Sequence, residues 1–264
     1  MSHHTPGAPD VPDKQFANTL ARGLEMLLCF TPEQSALGNK DFVLRTGLDK
    51  ATVSRLAYTL VQLGYLRHDK ALGKYRLGAP VLSMAYPLLA SASLRQLVRP
   101  WIKELADEVR GMVGISVRDR TNMVYMEACR SERDDAPRVD IGAAFPIMVS
   151  ANGHAWLARA APQERDMALN QIRVLYPRLY AERIAQVRQD LREFAGRGYC
   201  ASPGVVQPER IAIAVPMARP VNSEIVVFNC TVALKGRRAA TVQAQIGPRL
   251  VTLVRSVEVA MGMA

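Results

Sequence analysis

The sequence contains no run of about 18 apolar residues, so it offers no membrane-spanning helix. It also lacks a basic-then-apolar leader. Its start, MSHHTPGAPDVPDKQ, is polar and proline-rich, which reads as a disordered arm over residues 1–15 of a cytoplasmic protein. Cysteine is scarce and unpatterned. Cys29, Cys129, Cys200 and Cys230 form no CxxC pair, and each lies in or beside an apolar stretch, which points to buried free thiols. His3 and His4 fall in the arm, leaving only His68 and His154 in the body of the chain. There is no Walker loop, no GxSxG, no HExxH and no metal-spaced His/Cys group. These absences leave no marked catalytic residue, no metal site and no cofactor site.

Hydrophobic residues make up 49% of 264, enough for one large domain or two smaller ones with a real core. The net charge of +10 permits nucleic-acid binding without specifying it. Its distribution says more. Between Asp41 and Gly78 lie seven basic residues, Arg45, Lys50, Arg55, Arg67, Lys70, Lys74 and Arg76, against only Asp41, Asp49 and Asp69.

This stretch and the residues before it carry a helical pattern. Phe16, Leu20, Gly23, Leu24, Leu27 and Leu28 recur at helical spacing and predict an amphipathic helix over residues 16–29. Asp41 is a candidate cap for a short second helix, and Gly47 supplies a tight turn. Asp49 is the candidate N-cap of a third helix. At about 100° per residue, Val53, Leu56, Ala57 and Leu60 gather on one side of it. Ala51, Arg55, Tyr58 and Gln62 fall opposite, with Ser54 on the flank, and Gly64 closes the helix. Tyr65–His68 and Lys74–Leu77 alternate around a turn with Gly73, the pattern of a β-hairpin.

Three helices and a basic hairpin in this order predict a winged helix-turn-helix over residues 16–78. Its third helix would enter the major groove. Ala51, Thr52 and Ser54 would let the backbone approach, while Lys50 and Tyr58 lie on the same outward side. Arg55 could bond a guanine edge or grip a phosphate, and Arg67, Lys70, Lys74 and Arg76 would place positive charge on the flanking backbone or minor groove.

APVLSMAYPLLASASL follows, apolar and mostly uncharged. It reads as a linker helix over residues 79–93 that needs an apolar partner, either a core or a second subunit. Leu94, Leu97, Val98, Trp101, Ile102, Leu105 and Val109 then mark a helix opening a domain over residues 94–264. Strands are expected at 113–118, 123–129, 211–217 and 225–234. Helices are expected from Ser150, at 163–173 and 181–196, and from about 241 to 261 despite Pro248. Strands and helices without regular βαβ alternation predict an α+β fold with an antiparallel sheet. Asn229 and Thr231 sit two apart in an apolar strand and so face the same way. If that way is inward, they are polar groups available to a ligand.

LARGLEMLLCF, TGLDKATVSRLAYTLVQLGYLRHD and GKYRLG resemble the first helix, recognition helix and wing of IclR-family transcriptional regulators, and the likeness runs over roughly residues 16–262. The resemblance implies a GAF-like effector-binding fold for the second domain, a linker helix that serves a homodimer or a dimer of dimers, and operator DNA as partner. It also implies a repressor of a catabolic operon. Orphan backbone N–H groups at the helix start near Ala151–Gly153 suit a carboxylate, so a small organic acid, aromatic acids included, is the expected effector that controls operator affinity. Effector-contacting positions of the family fall on Ser150, Ala151, Asn152 and Gly153 at a helix start, and on Asn229 and Thr231 in the last strand. Ser202 and Ala212 stand where many members carry an acidic residue and a cysteine. Two other classes compete with this reading: an enzyme using the second domain's pocket, and a DNA-binding protein with no ligand.

Overall fold

The computed structural model describes residues 15–91, 93–135, 139–205, 207 and 209–263, and the chain divides into two compact units at residues 91/92. The arm expected over residues 1–15 therefore lies, but for Gln15, outside the described residues.

In the first unit, α1 (Asn18–Leu27), α2 (Asn39–Thr46) and α3 (Lys50–Gln62) precede an antiparallel hairpin, β1 (Leu66–Asp69) and β2 (Lys74–Leu77). A further helix follows, α4 (Ala79–Ser91). Asp49 caps α3. Its carboxylate accepts the Thr52 hydroxyl at 2.7 Å and the Thr52 N–H at 2.9 Å, and these bonds hold the carboxyl below its ordinary range. Gly47, at φ +70°, makes the turn between α2 and α3, a conformation that costs a residue with a side chain but not glycine. Val53, Leu56, Ala57 and Leu60 are buried as their spacing predicts, against Met26, Leu37, Phe42 and Leu66.

One expectation here is corrected. Asp41 is not the cap of α2. Gly38 is, and Asp41 sits at the third helical position, where its carboxylate accepts the Gly38 N–H at 2.8 Å. Only part of the apolar stripe of α1 meets this unit's core, where Leu27 packs. The helix buries Gly23 and Met26, while Phe16, Leu20, Leu24 and Leu28 stay 42, 64, 45 and 48% exposed. The α4 helix is open likewise, with Leu82 at 73% and Tyr86 at 68%.

The second unit opens with α5 (Ser93–Val109) and the strands β3 (Met112–Asp119), β4 (Asn122–Arg130) and β5 (Ala144–Pro146). A 3-10 turn (Ile147–Val149) leads to α6 (Ala151–Arg159), α7 (Pro162–Leu175) and α8 (Pro177–Arg197). Then come β6 (Cys200–Pro203), β7 (Arg210–Pro216), β8 (Val227–Ala233) and α9 (Ala239–Ala260). The strands form one antiparallel sheet in the order β5-β4-β3-β8-β7-β6, giving the expected α+β fold. α8 begins four residues earlier than periodicity suggests, because Pro177 opens it at a position where no N–H is needed. β5 and β6, three and four residues long, are not among the strands expected from the sequence.

Alternation splits the sheet between two cores. Val113, Ile115, Ile211, Ile213, Phe228 and Cys230 face α5 and α9. Met123, Ala214 and Val227 face α6 and α8, together with Trp156, Ile172 and Val187. Phe228 is fully buried, worth about 1.5–3 kcal/mol for a side chain of its size. Among the described residues no helix is long and apolar enough to cross a membrane.

Candidate DNA-binding and effector sites

On α3, Lys50, Ala51, Ser54, Arg55 and Tyr58 are exposed, so the small residues and the cation share one open face. Thr52 is half-buried with its hydroxyl spent on Asp49. Ser54 Oγ accepts from Asn39 Nδ2 at 3.2 Å, tying α2 to α3. The side chains of Arg55, Lys70 and Lys74 are exposed and make no hydrogen bond or ion pair with another described residue. Arg76 differs. Its guanidinium bonds Ser35 Oγ at 3.2 Å and lies 3.7 Å from Asp69, so it braces the wing as well as charging it.

In the second unit a cavity of about 70 Å³ opens at the start of α6. Ser150, Ala151, Asn152, Ala212 and Thr231 line it, so five of the eight positions singled out in the sequence share one wall. Ser150 caps α6. Its Oγ accepts the Gly153 N–H at 3.1 Å and donates to the Pro146 carbonyl at 3.0 Å. That leaves the Ala151 and Asn152 N–H groups as the unclaimed donors of the first turn among the described residues.

Gly153 does not line the cavity and is packed tightly. A Cβ there would lie 2.2 Å from the Ile147 carbonyl oxygen, so the absent side chain is what lets α6 meet the 3-10 turn. Ser202 and Asn229 border the cavity rather than line it. Ser202 pairs with Ala212 across β6 and β7, and Asn229 lies two residues before Thr231 along β8. Ser202 Oγ and Asn229 Oδ1 are buried without a hydrogen-bond partner among the described residues. Asn152 donates to Ser116 Oγ at 3.0 Å, and Asn229 Nδ2 reaches Thr231 Oγ1 at 3.5 Å.

The sequence did not reveal Tyr125, Arg130, Asp134, Phe145 and Arg210, which also line the cavity. Tyr125 and Phe145 meet edge-to-face at 5.8 Å. Burial pushes the Tyr125 hydroxyl up to about 12, against hydrogen bonds to Asn152 and Asn229 that favour the phenolate. The hydroxyl is therefore a neutral donor at physiological pH. Arg210, only 5% exposed, makes parallel bonds of 2.9 and 3.0 Å to the two carboxylate oxygens of Asp134.

This apparatus does not activate a nucleophile. Burial pushes the Cys200 and Cys230 thiols up to about 12 and the Cys29 thiol to about 11, and raises Cys129 as well. His154 has no free nitrogen to offer Cys200. Its Nδ1 is 2.5 Å from Asp190 Oδ2 and its Nε2 is 3.2 Å from the Met148 carbonyl, a buried clamp joining α6, α8 and the 3-10 turn. Among the described residues no group of three or more His, Cys, Asp or Glu could hold a metal.

Two family models match the chain, the IclR helix-turn-helix domain over residues 19–70 and the bacterial transcriptional regulator IclR C-terminal domain over residues 87–255. The chain belongs to the IclR family of transcriptional regulators. It is 30% identical to the HTH-type transcriptional regulator TsaQ1/TsaQ2 of Comamonas testosteroni, covering 94% of this chain and 90% of that protein. It is 25% identical to the transcriptional repressor IclR of Escherichia coli, covering 74 and 72%. A crystal structure of an IclR-family regulator from Brucella abortus superposes with a TM-score of 0.85 at 36% identity, covering 97 and 96% of the two chains. These IclR-family relatives are DNA-binding regulators rather than enzymes, in keeping with the unreactive thiols and the occupied histidine.

Proposed function

We propose that this IclR-family protein is a repressor of a catabolic operon, acting in the cytoplasm, and that a small organic acid entering the second unit's cavity lowers its affinity for operator DNA. The observation that carries this reading is the cavity at the start of α6. Two unclaimed backbone N–H groups and the helix dipole favour an anion there, and polar groups from Tyr125, Asn229 and Thr231 stand within the same wall or beside it. Its volume of about 70 Å³ is less than the ~150 Å³ of an apolar cavity that accepts benzene. Short-chain acids therefore fit the cavity as it stands, and an aromatic acid requires its walls to move. To change operator affinity, the acid must bind one of two arrangements of the protein more tightly than the other.

The acting species in this reading is a homodimer or a dimer of dimers. The exposed stripes of α1 and α4 are the surfaces that support it, since contiguous apolar area of this kind is rarely left to water. Residues 79–93 serve as its linker, between a DNA-binding domain over residues 16–78 and an effector domain over 94–264. Selection of bound sequences from randomised duplexes, followed by titration of the complex with an acid panel, tests the function. We expect an operator with two half-sites and release by at least one acid. Sequence-independent binding that no acid alters would overturn the reading.

A further inference from the structure

The cavity has a second end. Arg210 lies on β7 two residues before Ala212, on the same face of the sheet, and a further bond from its guanidinium to the Thr231 carbonyl at 3.3 Å fixes it there. Its partner Asp134 comes from the connection between β4 and β5, outside regular secondary structure, and is 4% exposed. Arg130, at the end of β4, also serves Asp134. It donates to the Asp134 main-chain carbonyl, and its Nε lies 3.8 Å from the carboxylate. Arg130, Asp134 and Arg210 all line the cavity. Among the described lining residues two guanidiniums thus face one carboxylate, one negative charge short of balance.

Resting on the organic-acid reading above, we propose that the effector is a dicarboxylate. One carboxylate sits at the start of α6, and the other takes the place of Asp134 on Arg210. Asp134 is then a stand-in that fills the second anion site while the cavity is empty. Three features favour exchange over a permanent pair. The arginine is held on a strand while the aspartate is not, so the cation stays and the anion can leave. A buried ion pair contributes little net stability, yet breaking it outright leaves a buried charge unpaired; replacing one carboxylate by another avoids that penalty. The guanidinium fork accepts any carboxylate in the same two-bond geometry. Exchange also gives the ligand a contact that exists in only one state of the protein, which a change in operator affinity requires.

Calorimetry on the full-length protein tests this with matched acids: butanoate against succinate, hexanoate against adipate, and benzoate against isophthalate. At least one diacid should bind the unsubstituted protein about tenfold or more tighter than its monoacid, the scale of one hydrogen-bonded charge pair. Asp134→Asn, which keeps the side chain's shape and removes the competing charge, should widen that ratio. Arg210→Met combined with Asp134→Leu, which removes the buried pair together and leaves Arg130 in place, should bring the ratio to about one, because the fork that takes the second carboxylate in two-bond geometry is gone. Monoacids that bind as tightly as their diacids would overturn the proposal while leaving the organic-acid reading intact. So would a diacid preference that survives in the double variant. Failure of every acid to bind would overturn both.

Discussion

Arg55→Ala separates base reading from charge attraction. Arg55 is exposed, and its side chain makes no hydrogen bond or ion pair with a described residue, so its loss removes no contact from the fold. Stability should change by no more than about 0.5 kcal/mol. Operator affinity should fall further, because a bidentate arginine–guanine contact is worth about 1–3 kcal/mol, or roughly 5- to 150-fold. The loss should fall on one base position, so that an operator altered there binds both proteins alike. Lys74 opens β2 and is exposed at the wing. Lys74→Ala should instead weaken binding to every sequence and lower the slope of log affinity against log salt by about one. Gel-shift titrations at four salt concentrations, on the operator and its single-base variants, measure both effects. Unchanged affinity in both variants would refute the placement of α3 and the wing on DNA. A uniform loss with a reduced slope for Arg55→Ala would show that it grips a phosphate and reads no base.

Three further outcomes are expected. Gly153→Ala should destabilise the protein by about 1–3 kcal/mol or more, since its methyl group meets the Ile147 backbone; a thermal melt unchanged from wild type would return Gly153 to the ligand. Asn229→Ala should weaken binding of an identified effector by about 1–3 kcal/mol by calorimetry while operator binding without effector stays nearly unchanged; equal effector affinity in the two proteins would make Asn229 structural. Leu82→Glu with Tyr86→Glu, a turn apart on the open face of α4, should shift the intact protein toward monomer in sedimentation. A wild-type protein that sediments as a monomer at all concentrations would count against the proposed assembly.

The recognition helix was legible residue by residue because a single rule governs it. Asp49 caps, Gly47 turns, and a 3.6-residue period buries Val53, Leu56, Ala57 and Leu60, leaving Arg55 and Tyr58 outside. The cavity was legible only where it follows local rules, at the Ser150 cap and along the alternation of β8. Tyr125 escaped because a bulge interrupts β4. Ile115 pairs with Glu127 while the next residue, Ser116, pairs with Tyr125. In an unbroken strand Tyr125 and Glu127 would share a face. The bulge sends Tyr125 to the cavity and Glu127 to α5, where it bonds Arg99 at 2.8 Å. Arg210 escaped for a different reason. Beside an apolar run, an arginine reads as the end of a strand at the surface, and only Asp134, separated from it in sequence but bonded to it in the fold, makes its burial tolerable. The α1 stripe shows the converse. Its period was read correctly, but a period specifies only which residues seek shelter from water. Phe16, Leu20, Leu24 and Leu28 remain open in the first unit, and no pattern within the helix could have shown that this part of the stripe stays exposed.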